Sequence, residues 1–158
     1  MKYIALLLVL ATLATMGYGI YIYLNTNLEV VSVSVNSIEA RNMSDKFFAD
    51  REDLTNGTKT GRVFTNELNN GNDYYYIEYT MQLENNLLVD AESLELQVVP
   101  KNGDVYQSLT NVLPIIKRNE KAELKANLLS KKTAMGIREF VVSYYVWGIP
   151  FSLNYTLK

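Results

Sequence analysis

The chain has 158 residues, with 17 acidic against 15 basic side chains and a net charge of −2; it contains no cysteine and no histidine. Those absences remove thiolate metal sites, redox motifs, cysteine nucleophiles, and the side chain that most often serves as general base or transition-metal ligand. The acidic balance excludes the basic footprint of a nucleic-acid binder.

Tyr3–Leu24 is an unbroken run without charge. As a helix rising 1.5 Å per residue it would reach roughly 33 Å, enough to cross a hydrocarbon core of about 30 Å. Tyr3 at one end and Tyr18, Tyr21 and Tyr23 at the other suit the headgroup level. Lys2 precedes the run and Glu29 is the first charge after it. That bias orients the N-terminus toward the cytoplasm. The expected organisation is a single-span anchor over residues 1–26 in the cell membrane and an extracytoplasmic domain over 27–158. A cleaved signal peptide is the competing reading, with an apolar region of about 7–15 residues ending in small side chains. Cutting at Thr12-Leu13-Ala14 would leave Met16–Leu24 as an apolar tail, and cutting after Gly19 would leave Ile20–Leu24. Ala11, Thr15 and Gly19 recur every four residues on one face, a small-residue ladder that marks a candidate helix–helix contact.

About 130 residues remain beyond the anchor, enough for one domain with a real core and no disulfides. Leu28–Ala40 alternates, with Val31, Val33 and Val35 on one face and Ser32, Ser34 and Asn36 on the other, which predicts a half-buried strand. Arg41–Asp73 is rich in turn residues; Ser44–Leu54 is expected to make a helical turn or two capped by Ser44, and Arg62–Thr65 a short strand. Tyr74–Glu84 is the clearest strand, with Tyr75, Ile77, Tyr79, Met81 and Leu83 on one face. Ser93–Val99 resumes the alternation. Asn102-Gly103 within Pro100–Asp104 predicts a hairpin returning along Val105–Leu109. Leu113–Ile116 reads as an apolar connector, and Ala122–Leu128 as another alternating strand. Ile137–Trp147 and Phe151–Leu157 form a second hairpin around a Gly148-Ile149-Pro150 turn. The sum is an all-β domain of about seven strands, a β-sandwich of immunoglobulin or fibronectin-III type, preceded by one transmembrane helix.

Charge is uneven along the chain: residues 29–95 hold thirteen acidic and five basic side chains, residues 96–158 four and nine. This marks either contact with anionic headgroups or an acidic partner, or a solvated surface, since successive strands of a sandwich alternate sheets and the asymmetry need not become a face. Asp50, Glu52 and Asp53, or Glu92 and Glu95, offer carboxylates without a matched acid–base set, so no enzyme activity and no small-molecule substrate is expected. Asn69–Asp73 lacks calcium-loop spacing, and no cofactor or metal is expected. Asn42, Asn56 and Asn154 stand in Asn-x-Ser/Thr acceptor patterns. If Phe140 and Tyr144 face the core, Tyr145 and Trp147 face outward, and with Tyr74 and Tyr76 they make a candidate partner-binding patch. The same near-continuous apolarity also fits a central strand buried on both faces.

The order of Val30–Val35, Tyr79–Leu83 into Asn85-Asn86, Leu94–Gly103, Leu113-Pro114-Ile115, Ala122–Leu128 and Tyr144–Ser152 resembles the late-embryogenesis-abundant group 2 domain, also called the water-stress and hypersensitive-response domain. Here Asn85-Asn86 lacks the middle proline of that family's Asn-Pro-Asn turn, and Arg41–Asp73 is longer. The resemblance implies an immunoglobulin-like sandwich with a structural, envelope or stress-protective role, and carries over no catalytic residues. The alternative is an accessory subunit held by anchor and β-face in a larger assembly, through a protein partner or self-association.

Overall fold

The computed structural model describes residues 2–24, 28–108 and 112–157. Among these residues, helix α1 (Lys2–Leu24) precedes nine strands in two antiparallel sheets and a second α-helix. The apolar stretch Tyr3–Tyr21 of α1 is long and apolar enough to cross a bilayer, and none of it is buried against the rest of the protein. Thr12 and Thr15 donate to the Leu8 and Ala11 carbonyls at 2.6 and 3.0 Å, so their hydroxyls are satisfied within the helix.

The first sheet has the order β1 (Glu29–Glu39), β3 (Tyr74–Glu84), β7 (Lys121–Lys131), β5 (Asp104–Ser108), β2 (Arg62–Val63). The second runs β6 (Val112–Ile116), β4 (Ala91–Val98), β8 (Arg138–Val146), β9 (Ile149–Leu157). Period-two alternation builds one core from both. Ile77, Tyr79, Met81 and Leu83 of β3 and Leu124, Ala126 and Leu128 of β7 join Leu94, Leu96 and Val98 of β4 and Phe140, Val142, Tyr144 and Val146 of β8. Tyr79 meets Phe140 edge-on with centroids 5.0 Å apart, a contact between the sheets.

Several expectations need correction. In β1, Val31 falls at a bulge between Val30 and Ser32, so Val30 opposite Leu83 and Val33 opposite Met81 face inward while Val31 is exposed. The extra residue shifts the alternation by one. The region after β1 is more ordered than turn chemistry suggests: α2 (Ser44–Asn56) has 13 residues, its N-cap position is Met43 rather than Ser44, and it stops at Gly57, whose φ of 69° is left-handed. It buries Phe47, Asp50 and Leu54 on the outer face of the first sheet, where Tyr74, Val105, Tyr106 and Leu129 complete a second core.

Asn102-Gly103 does turn the chain, but β4 and β5 are not a hairpin. β5 pairs with β7 in the other sheet, and the expected return strand's last residue, Leu109, lies outside the described residues. β5 and β6 run in the same direction, the first along β7 and the second along β4, so the chain changes sheets between them. Buried Gln107 links the two sheets across this switch. Its side chain donates to Leu96 O and accepts from Val98 N, both at 3.0 Å, supplying the bonds that β6 does not reach. Leu113–Ile116, expected as a connector, is thus the edge strand β6, where Pro114 costs no interior ladder bond. The final hairpin turns at Trp147-Gly148 rather than at Gly148–Pro150, with Val146 opposite Ile149.

Strands from the acidic and basic halves pair side by side. β7, from the basic half, lies beside β3, from the acidic half, and gives Lys121–Glu84 at 3.3 Å and Lys125–Glu78 at 3.6 Å. These are surface pairs that neutralise more than they stabilise.

Candidate functional site

Under α2 a hollow of about 380 Å³ is lined by Lys46, Lys59, Tyr76, Tyr106, Ser108 and Asn127, among others. Asp50, 3% exposed, does not line the hollow but lies behind four of its lining residues, Lys46, Lys59, Tyr76 and Tyr106, which it binds together. Asp50 Oδ2 accepts from the hydroxyls of Tyr76 at 2.6 Å and Tyr106 at 2.7 Å and from Lys46 Nζ at 3.4 Å, while Oδ1 accepts from Lys59 Nζ. Lys46 Nζ also sits 3.6 Å from the Tyr76 ring centroid and Lys59 Nζ 4.6 Å from that of Tyr106. Burial opposes the charge on Asp50, but the bonds from Lys59, Tyr76 and Tyr106 outweigh it and hold the carboxyl below its ordinary value. Burial first, then the bond to Asp50, pushes both phenols up beyond the usual tyrosine range. Burial also lowers Lys46, with Asp50 opposing. The carboxylate is fixed as an acceptor and the phenols as donors, so none of the three exchanges protons near neutrality. The cluster pins α2 to the sheet.

A second buried carboxylate is also ringed by donors. Asp104 takes a two-pronged contact from Arg138, Nη1 to Oδ2 at 2.7 Å and Nη2 to Oδ1 at 2.8 Å. It also accepts from Ser130 Oγ at 2.6 Å and Lys101 N at 2.7 Å. Burial opposes the guanidinium charge, but Asp104 raises the Arg138 pKa above its ordinary value. This pair clamps β5 and β7 of one sheet to β8 of the other. Among the described residues no group of three or more His, Cys, Asp or Glu side chains could hold a metal.

The opposite end of the sheets is where the chain enters the domain at Leu28. Asn85, fully buried, organises it: N–H to Glu120 O at 2.9 Å, Nδ2 to Ile116 O at 2.9 Å and Val89 O at 3.0 Å, and Oδ1 from Leu87 N at 3.0 Å. Tyr144 hydrogen-bonds the Leu28 backbone. The outer surface of this end is apolar at its tip: Trp147 is 60% exposed, Ile149 46%, Tyr145 43% and Leu88 41%. Trp147 and Gly148 have φ of 53° and 76°, the pair of positive angles of a type I′ turn.

The four candidate patch residues therefore separate. Tyr145 and Trp147 belong to the second sheet and are exposed, which corrects the picture of β8 buried on both faces; β8 is lined by the core on one side only. Tyr74, 0% exposed, and half-buried Tyr76 lie on β3 under α2, in the other sheet. Ala11, Thr15 and Gly19 form a face of α1 that no other described segment covers. Asn42, Asn56 and Asn154 are all exposed. Sequence reasoning missed Arg138, Asp104 and Gln107, polar residues buried by partners distant in the chain, and named Asp50 only as one of several carboxylates, without its burial. No family model matches this chain, and no curated protein or solved structure gives a significant match.

Proposed function

We propose that this is a non-catalytic, single-span membrane protein of structural, envelope or stress-protective role, with a β-sandwich held on the extracytoplasmic side of the cell membrane. The observation that carries this reading is α1, an apolar helix with no face buried in the protein, followed within four residues by a folded β-domain. A helix apolar all round needs an apolar surrounding other than water. The absence of catalysis is inferred from the two buried carboxylates, both committed as charged acceptors. An immunoglobulin-like sandwich is supported by strand order: β1-β3-β7-β5 opposite β9-β8-β4 follows the A-B-E-D and G-F-C order in chain sequence, with β6 as an added edge. The resemblance to the late-embryogenesis-abundant group 2 domain supports the same class.

The exposed tip of β8–β9 and the uncovered small-residue face of α1 favour a second reading, an accessory subunit. Purification of the full-length protein from native membranes in mild detergent, with mass spectrometry, separates the two. A protein recovered alone or as a homodimer is expected; a stoichiometric partner lost on Gly19→Leu or Trp147→Ala makes it a subunit.

A further inference from the structure

We propose that the Trp147-Gly148 hairpin tip, with Ile149, seats in the headgroup layer of the same bilayer that α1 spans, so that the domain rests on the membrane by a second, non-covalent contact. The inference rests on α1 being a membrane span. Three residues separate Leu24, the last of α1, from Leu28. A chain extends by at most about 3.6 Å per residue, so Leu28 stays within about 14 Å of the helix end. The headgroup layer outside the hydrocarbon is itself about 5–7 Å thick. Leu28 is buried, and its backbone bonds Tyr144. β8 runs from Arg138, at the far end with Asp104, toward this end, and Trp147 lies three residues past Tyr144. At about 3.3 Å per strand residue the tip extends about 10 Å in that direction. The covalent tether and the strand direction therefore bring the same end of the domain to the bilayer.

The composition of the tip selects lipid as its occupant. An indole is the side chain best suited to the interface between headgroups and acyl chains. Type I′ turns favour Asn-Gly, whereas this one holds Trp147 in the left-handed region with its side chain 60% exposed. Around the tip, Lys117, Arg118 and Lys121 are exposed, but so are Glu29, Asp90, Glu92 and Glu120, and Lys121 is taken up by Glu84. The contact is therefore apolar, and zwitterionic lipid suffices for it.

Trp147 is the sole tryptophan, so the wild-type protein reports on itself. Full-length protein is reconstituted into phosphatidylcholine vesicles with or without lipids brominated on the upper acyl chain, and tryptophan emission is recorded. The expected result is blue-shifted emission that loses most of its intensity with the brominated lipid and resists aqueous iodide. Emission that stays red, is quenched by iodide and ignores the bromine overturns the proposal. Blue-shifted emission untouched by bromine overturns it equally, because a second protein copy then covers the tip. Flotation of the vesicles after alkaline carbonate tests the anchor separately. Protein left behind refutes the span and with it the seating; protein that floats with unquenched Trp147 refutes the seating alone.

Discussion

Replacing Arg138 by methionine removes four hydrogen bonds at once: two to Asp104, one to Ser130 Oγ at 3.2 Å and one to Ala134 O at 2.9 Å. It leaves the Asp104 side chain, 0% exposed, as a buried carboxylate facing only the Ser130 hydroxyl and the Lys101 N–H. Breaking a buried pair from one side costs about 3–5 kcal/mol, most of it the desolvated charge left behind. For a domain of this size that corresponds to a fall in Tm of about 10–20 °C. The assay is thermal unfolding of the full chain in detergent, followed by near-ultraviolet circular dichroism of the Tyr79–Phe140 core. The double variant Arg138→Met with Asp104→Leu removes both charges and recovers to within about 2 kcal/mol of wild type, the remainder being the orphaned Ser130 and Lys101 donors. Arg138→Met within about 1 kcal/mol of wild type, or a double variant no better than the single, would refute the argument that this pair is clamped by mutual desolvation.

Asp50→Asn keeps the shape but strips the counter-charge from Lys46 and Lys59, and is expected to cost about 2–3 kcal/mol and to speed proteolysis within Ser44–Asn56. Because the folded carboxyl is held below its ordinary value, its contribution to docking α2 is complete above about pH 4 and is lost as pH falls through the lowered value. Hydrogen exchange along α2 should stay slow down to that range. Tyr76 and Tyr106 have the opposite sign: their phenols are raised, so their contribution is present below about pH 10 and lost above it. Tyrosinate absorbance should show these two ionising together with unfolding, at higher pH than exposed tyrosines. Gln107→Leu leaves Leu96 O and Val98 N without partners and is expected to cost about 1–3 kcal/mol for each in chemical denaturation. Trp147→Asn relieves a left-handed residue and should stabilise the domain by about 1 kcal/mol, raising Tm in detergent.

The strands were legible because alternation is a local signal. β4 and β8 bury the residues that their period of two assigns to the core, and β3 and β7 do so except for Tyr75 and Ala122, which are half-buried against it. What alternation cannot supply is the identity of the neighbouring strand. Asn102-Gly103 specifies a turn, yet the same turn serves a hairpin or a passage between sheets. Gln107 and Asp104 decide it, through partners in β4, β7 and β8. The grouping of Tyr74 and Tyr76 with Tyr145 and Trp147 failed for the same reason: both pairs leave the main core, but from opposite sheets. α2 was underread because its buried face carries Asp50 between Phe47 and Leu54, so its apolar stripe is broken where its polar anchor sits.

Three residues break a local rule in this domain, and their compensation differs. Asp50 lies on the buried face of a helix, and two phenols and two ammonium groups of the same chain receive it. Asp104 lies inside the sheets, and Arg138, Ser130 and Lys101 receive it. Trp147 is different in kind. Of the three described non-glycine residues with positive φ, Asn119 is of a type that tolerates it and Ser93 sits at the irregular register of β4, whereas Trp147 holds a bulky aromatic at a hairpin tip with most of its surface outside the protein. Compensation within the fold would bury that ring. The fold instead extends it from the end tethered to α1, and the proposed seating of the tip in lipid would supply that compensation. The two measurements on this residue therefore oppose each other: Trp147→Asn gains stability in detergent and loses the contact with lipid.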